Sequence, residues 1–112
     1  MVDLIGCKDV PARAKQCEGW GVDMIYLHYG ADQRKHDPAQ DSTQWLEEVQ
    51  RAVSIPIGVG CFQAADGVRA AELGAELIAI GHPVISAPDP LAELRRFVRE
   101  VKGAWRPRGT GN

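Results

Sequence analysis

The chain has 112 residues, 45% hydrophobic and 25% charged, with a net charge of −2. That length suits one small domain, and the balance of charge lacks the basic excess that selects nucleic acid or an anionic membrane. The longest apolar runs are strand-sized, short of the ~20 residues that span a bilayer, and no charged segment leading into an apolar core marks a secretory leader.

The hydrophobic pattern then switches period repeatedly along the chain. VDLIG (2–6) reads as a short buried strand. In VPARAKQCEGWG, Val10, Ala14 and Cys17 form one helical stripe, with Asp9 as N-cap, Pro11 in the first turn and Gly21 at the stop. DMIYLHYG (23–30) is a second strand, and the polar ADQRKHDPAQD reads as a loop. A helix follows in STQWLEEVQRAV, with Leu46, Val49 and Val53 in one stripe and Asp41 with Gln44 as a capping box. IPIGVG (55–60) is a third strand, leading to an alanine-rich helix from Ala64 to Leu73, and ELIAIG (76–81) is a fourth. The last helix opens at Asp89-Pro90, carries Leu91, Leu94, Val98 and Val101 on one face and ends at Gly103. Residues 1–103 thus form the domain, and 104–112 read as a flexible carboxyl-terminal tail. A weak internal repeat aligns Gly21 with Gly74 and Asp23 with Glu76, each acid at a solvated strand entrance.

Strands alternating with helices define an α/β chain with parallel pairing and right-handed crossovers. Strands that are apolar throughout are covered on both faces. Four parallel βα units make either a small open sheet or half of a TIM (β/α)₈ barrel, which in full takes ~250 residues. A half barrel leaves two strand edges and an apolar face open, which predicts self-association or a separate chain that supplies the remaining strands. Three widely spaced cysteines, Cys7, Cys17 and Cys61, in apolar surroundings fit reduced thiols and a cytoplasmic setting. No metal spacing connects them to His28, His36 or His82.

MVDLIGCKDVPARAKQCEGWGVDMIYLHYGADQ resembles one segment of the 3-hexulose-6-phosphate synthase family, ungapped through VDLIG-KD---RAK---GVD-I--H-G-D. That family belongs to the orotidine 5′-phosphate decarboxylase superfamily, together with 3-keto-L-gulonate-6-phosphate decarboxylase. The similarity covers about residues 2–102 and places residues 1–6 on the fifth barrel strand, SIPIGVG on the seventh and AELIAIGHPVISAPDP on the eighth. It implies a carboxyl-terminal half barrel whose activity, once completed, is carbon–carbon lyase chemistry on a phosphorylated ketose through an enediolate. It also implies Mg²⁺, held in the family by an Asp-x-Lys-x-x-Asp motif of the third strand that this sequence lacks. Two alternatives stand beside it: a non-catalytic half barrel that binds a phosphorylated metabolite or a protein partner, and a longer enzyme of which this is one part.

By the same resemblance, His28 matches a sixth-strand histidine facing the reacting carbonyl, where an imidazole can move a proton near neutral pH. Gly60, Cys61 and Phe62 occupy the first phosphate loop, and Gly81, His82 and Pro83 the second. Cys61 and Phe62 stand where the family places a glycine pair. His82 replaces a glycine as a possible cationic donor, and Pro83 removes a backbone N–H. Asp3 and Lys8 flank the first strand as cup-lining candidates, with a solvated lysine beside an N-cap as the plain reading of Lys8. Asp32 reads as a cap of the loop after the second strand. Cys61 as a nucleophile would need a depressed pKa and a nearby base. Trp20, Trp45 and Trp105 read as helix-packing or interface groups.

Overall fold

The structure is a computed structural model that describes residues 1–37 and 39–109, leaving the side chains of Ala31, Asp32 and Arg34 outside the description. The cap expected of Asp32 lies outside the described residues. Four strands, β1 (Val2–Asp3), β2 (Ile25–Leu27), β3 (Ile57–Cys61) and β4 (Leu77–Ile80), form one sheet in chain order, β1-β2-β3-β4. Every neighbouring pair is parallel, with Asp3 opposite Tyr26, Tyr26 opposite Gly58 and Gly58 opposite Leu77. Helices α1 (Val10–Gly19), α2 (Ala31–His36), α3 (Leu46–Ala52) and α4 (Ala64–Glu72) form the crossovers, with a 3₁₀ turn at Ser42–Trp45, and α5 (Pro90–Ala104) follows β4. Sequential parallel order is the arc of a (β/α)₈ barrel: four βα units, half the number that close one.

The alternation of a strand sends odd and even residues to opposite faces. Ile25, Leu27, Ile57 and Val59 lie under the helices, each fully buried with Ala14, Leu46, Val49 and Ala70. Each large aliphatic side chain so buried is worth roughly 1.5–3 kcal/mol, so this layer is what holds the arc together. The α1 stripe of Val10, Ala14 and Cys17 is buried as its spacing predicts. Asp9 and Asp89 cap their helices, accepting from the N–H of Ala12 at 3.1 Å and of Ala92 at 3.2 Å. Asp41 accepts from the Thr43 N–H at 2.7 Å.

Four features differ from the sequence expectation. The strands are shorter than the apolar runs, because the chain leaves the ladder early; after β1 it turns through Gly6 at φ 77°. The expected loop after β2 contains α2, whose first turn is held by the Gly30 N–H donating to Gln33 Oε1 at 2.8 Å. The α5 face expected to be packed is largely open. Leu91, Leu94 and Val98 are exposed and only Phe97 is buried, because no described strand lies beyond β4. The fourth is the presumed tail. Trp105 Nε1 donates to the Ala75 carbonyl at 2.9 Å, and the Arg106 N–H to that of Ala71 at 3.0 Å. The Arg108 guanidinium donates to the carbonyls of Val53 and Ile55 and to the Glu76 carboxylate, each at 3.0 Å. Residues 105–108 therefore lie docked across the amino-terminal ends of β3 and β4, and 110–112 lie outside the described residues.

Two acids pin strand entrances from within. Glu76 Oε2 accepts from the Ile57 N–H at 2.8 Å, while Glu18 Oε2 accepts from the N–H groups of Ser54 at 2.6 Å and Ile55 at 3.1 Å. Glu76 is exposed at its strand entrance as expected, and it is hydrogen-bonded there as well.

Candidate functional site

The face of the sheet that carries Tyr26, Gly58, Gly60, Leu77 and Ala79, opposite the helices, opens at the carboxyl ends of the strands into a cleft of about 470 Å³. Its wall includes Tyr26, His28, Gly60, Cys61, Gly81 and His82. His28, Gly60, Cys61, Gly81 and His82, candidates from the sequence, thus meet in one place, brought there by β2, β3 and β4 ending side by side. Parallel strands that end together are where α/β barrels gather functional groups.

The cleft mouth is organised by one pair. His28 Nδ1 lies 3.0 Å from Asp3 Oδ2, across the β1–β2 boundary. Both groups are partly exposed, with 39% and 43% of their side chains open to solvent, so the pair adds little to stability and much to orientation. A carboxylate on Nδ1 favours the tautomer with its proton there and leaves Nε2 for a ligand. Asp3 was a flanking candidate in the sequence; its role as the partner of His28 follows from register, since Asp3 sits opposite Tyr26 and the two carboxyl ends then converge. Lys8 is exposed and does not line the cleft.

The first loop, after β3, is already engaged. The N–H groups of Phe62 and Gln63 donate to Asp66 Oδ2 at 3.3 and 3.0 Å. A carboxylate therefore occupies donors that a phosphate on this loop would use. In the second loop Pro83 offers no N–H, and the His82–Pro83 peptide is cis. Phe62 and His82 meet edge to face across the two loops, with ring centroids 6.4 Å apart.

Cys61 is a thiol, not a thiolate. Burial, reinforced by Asp66 and Asp41, pushes its pKa up to about 12, the opposite of what nucleophilic activation requires. Tyr26 moves the same way, because burial first and then Asp3 and Cys61 disfavour the phenolate. Sequence reading passed over Tyr26, although its period-2 spacing from His28 places both on one face. Trp45 packs against the core and tilts over Tyr29, Trp105 bonds to the strand entrance described above, and Trp20 is exposed. Among the described residues no group of three or more His, Cys, Asp or Glu side chains is placed to hold a metal ion. The residues present therefore do not fit Mg²⁺ on their own.

Sheet order, helix layer and cleft define the class: half of a TIM barrel with its cleft at the carboxyl ends of the strands. Known proteins give this class its relatives. The crystal structure of 3-hexulose-6-phosphate synthase from Salmonella typhimurium superposes with a TM-score of 0.82 at 26% identity, over 92% of this chain and 49% of that one. The 3-hexulose-6-phosphate synthase of Mycobacterium gastri is 29% identical over 103 residues, 87% of this chain and 46% of its own length. The thiamine-phosphate synthase of Bacillus velezensis is 28% identical over 95 residues, 81% of this chain and 42% of its own. No family model matches the chain. The chain is thus similar in sequence to both 3-hexulose-6-phosphate synthases and thiamine-phosphate synthases and in fold to the former, and it spans about half the length of the curated relatives it matches. No helix among the described residues is long and apolar enough to cross a membrane.

Proposed function

We propose that this chain is the proton-handling half of a carbon–carbon lyase acting on a hexulose 6-phosphate, the remaining strands coming from a second half barrel. The observation that carries the reading is the Asp3–His28 pair at the cleft mouth. With Nδ1 bonded to Asp3, His28 Nε2 accepts the hydroxyl proton of the carbon being released. The carbon–carbon bond breaks, formaldehyde leaves, and its electron pair stays on the pentulose 5-phosphate as an enediolate. The same nitrogen returns the proton to the enediolate carbon, so the histidine ends as it began. The developing oxyanion needs cationic stabilisation. No lysine or arginine among the described residues lines the cleft, so charged groups, and the carboxylates of any Mg²⁺ site, fall to the other half. Cys7, Cys17 and Cys61 are free thiols, which fits the cytoplasmic setting included in this reading.

A second reading rests on the first loop. Asp66 holds the donors of Phe62 and Gln63, which weakens this loop as a phosphate grip and favours a non-catalytic half barrel that binds a protein partner, or a phosphorylated metabolite through other contacts. One experiment separates the two: formaldehyde release from a hexulose 6-phosphate, measured on the chain alone and with the amino-terminal half of a full-length relative. Turnover in the mixture that is lost in His28→Asn supports the lyase. A ligand-raised melting temperature with no turnover in any combination supports the binder. Size-exclusion chromatography reports the partner: a species heavier than the 12.2 kDa chain is expected, and a sharp monomer with a cooperative melt would remove the need for one.

A further inference from the structure

Between the histidine at the cleft mouth and the loop after β3 lies Tyr26. Its ring lies flat across two glycines of β3. A Cβ on Gly58 would come within 3.0 Å of Tyr26 Cδ2, and one on Gly60 within 3.1 Å of Cζ and closer still to the hydroxyl. A side chain at Gly60 would push the tyrosine hydroxyl aside, and one at Gly58 would require the ring and Leu77 to give by a few tenths of an ångström. Gly58 and Gly60 thus form a floor cut to the shape of one tyrosine. The ring also meets His28 edge to face at 5.8 Å, and the hydroxyl has no hydrogen-bond partner among the described residues. A phenol half-buried at the floor of a cleft, aimed over a glycine and left unpaired, is a donor in waiting for an acceptor that enters from solution.

We propose that Tyr26 is a ligand-contacting, specificity-determining residue, its hydroxyl donating to an oxygen on the carbon chain of the bound phosphorylated ketose, between the phosphate and the carbon served by His28. The inference rests on the ketose-phosphate reading above and adds a residue and a contact to it. Burial keeps the hydroxyl protonated, so it acts as a donor. Its placement over Gly60, below the loops at 61–63 and 81–83, puts it on the carbon chain and not on the phosphate.

The test measures binding of D-ribulose 5-phosphate and of inorganic phosphate by calorimetry to the wild-type chain, Tyr26→Phe, Gly60→Ala and the double variant. Tyr26→Phe keeps the ring on its floor and is expected to melt within a few degrees of wild type. It should weaken ribulose 5-phosphate about tenfold, the effect of one hydrogen bond, and leave inorganic phosphate unchanged. Gly60→Ala should displace the hydroxyl and give a similar loss, and the double variant should be no worse than the poorer single one. Equal losses for both probes, or none in Tyr26→Phe, would overturn the contact while leaving the ketose-phosphate reading in place. A wild-type chain that binds neither probe would overturn both.

Discussion

Gly74 carries the sharpest stability prediction. It sits at φ 90°, where a side chain is strained, and an alanine Cβ would lie 2.6 Å from the Arg108 nitrogen and 2.9 Å from the Arg106 carbonyl oxygen. These are backbone atoms of the docked segment, so Gly74→Ala must either distort the turn or expel the segment. The left-handed conformation costs about 1–2 kcal/mol. Expulsion removes the Arg106 N–H bond to Ala71 and the three guanidinium bonds of Arg108. The Arg108 side chain is 22% exposed and its partners regain water, so the cluster counts at the low end of charged hydrogen bonds, roughly 2 kcal/mol in all. The sum is roughly 3–4 kcal/mol, or about 15 °C in melting temperature for a domain of this size. The assay is a double-mutant cycle by thermal or urea denaturation. Arg108→Ala alone should cost about 2 kcal/mol, and Gly74→Ala in that background only the strain, giving a coupling near 2 kcal/mol. Losses that add within about 0.5 kcal/mol, or a Gly74→Ala variant as stable as wild type, would refute the view that this glycine exists to admit the segment.

Three further outcomes follow from the same geometry. The folded pKa of Cys61, about 12, lies above its ordinary value of 9.0, so the folded state holds its proton longer than the unfolded one. Stability should be intact below pH 9 and decline as pH rises from 9 to 12, and Cys61→Ala should flatten that decline in alkaline melts; iodoacetamide at pH 8 should leave Cys61 unmodified until the chain is denatured. Asp3→Asn breaks a partly exposed pair, so the melt should move by no more than about 1 kcal/mol, while turnover in the completed barrel should drop far more. Glu18→Ala strips acceptors from the Ser54 and Ile55 N–H groups and should cost roughly 1–3 kcal/mol by denaturation, whereas Glu47→Ala, on the exposed 3.7 Å pair with Arg69, should cost under about 0.5 kcal/mol.

The sequence carried the layer between sheet and helices plainly. Apolar runs and 3.6-residue stripes depend on local periodicity, and Ile25, Leu27, Ile57, Val59 and the α1 stripe are buried where that periodicity points. Helix α2 was illegible because ADQRKH has no apolar stripe; its anchors are the Gln33 side chain on Gly30 and the Tyr29 hydroxyl, which lies near the carbonyls of Gln33 and Asp37. The docked segment was illegible for another reason. Arg108 binds groups at 53, 55 and 76, and a polar, glycine-rich stretch gives no local sign of partners so distant in sequence. In the site, the family likeness gathered His28, Gly60, Cys61, Gly81 and His82 in advance. Tyr26 was hidden inside a run that read as uniformly buried, and only strand alternation separates it from Ile25 and Leu27.

That alternation divides labour along β2 and β3. One set of residues answers to the helices and tolerates almost no change of volume, while its interleaved neighbours answer only to whatever enters the cup. A lineage can therefore exchange Tyr26, Gly58 and Gly60 as a set, resizing the chamber for a different guest, without renegotiating a single helix contact.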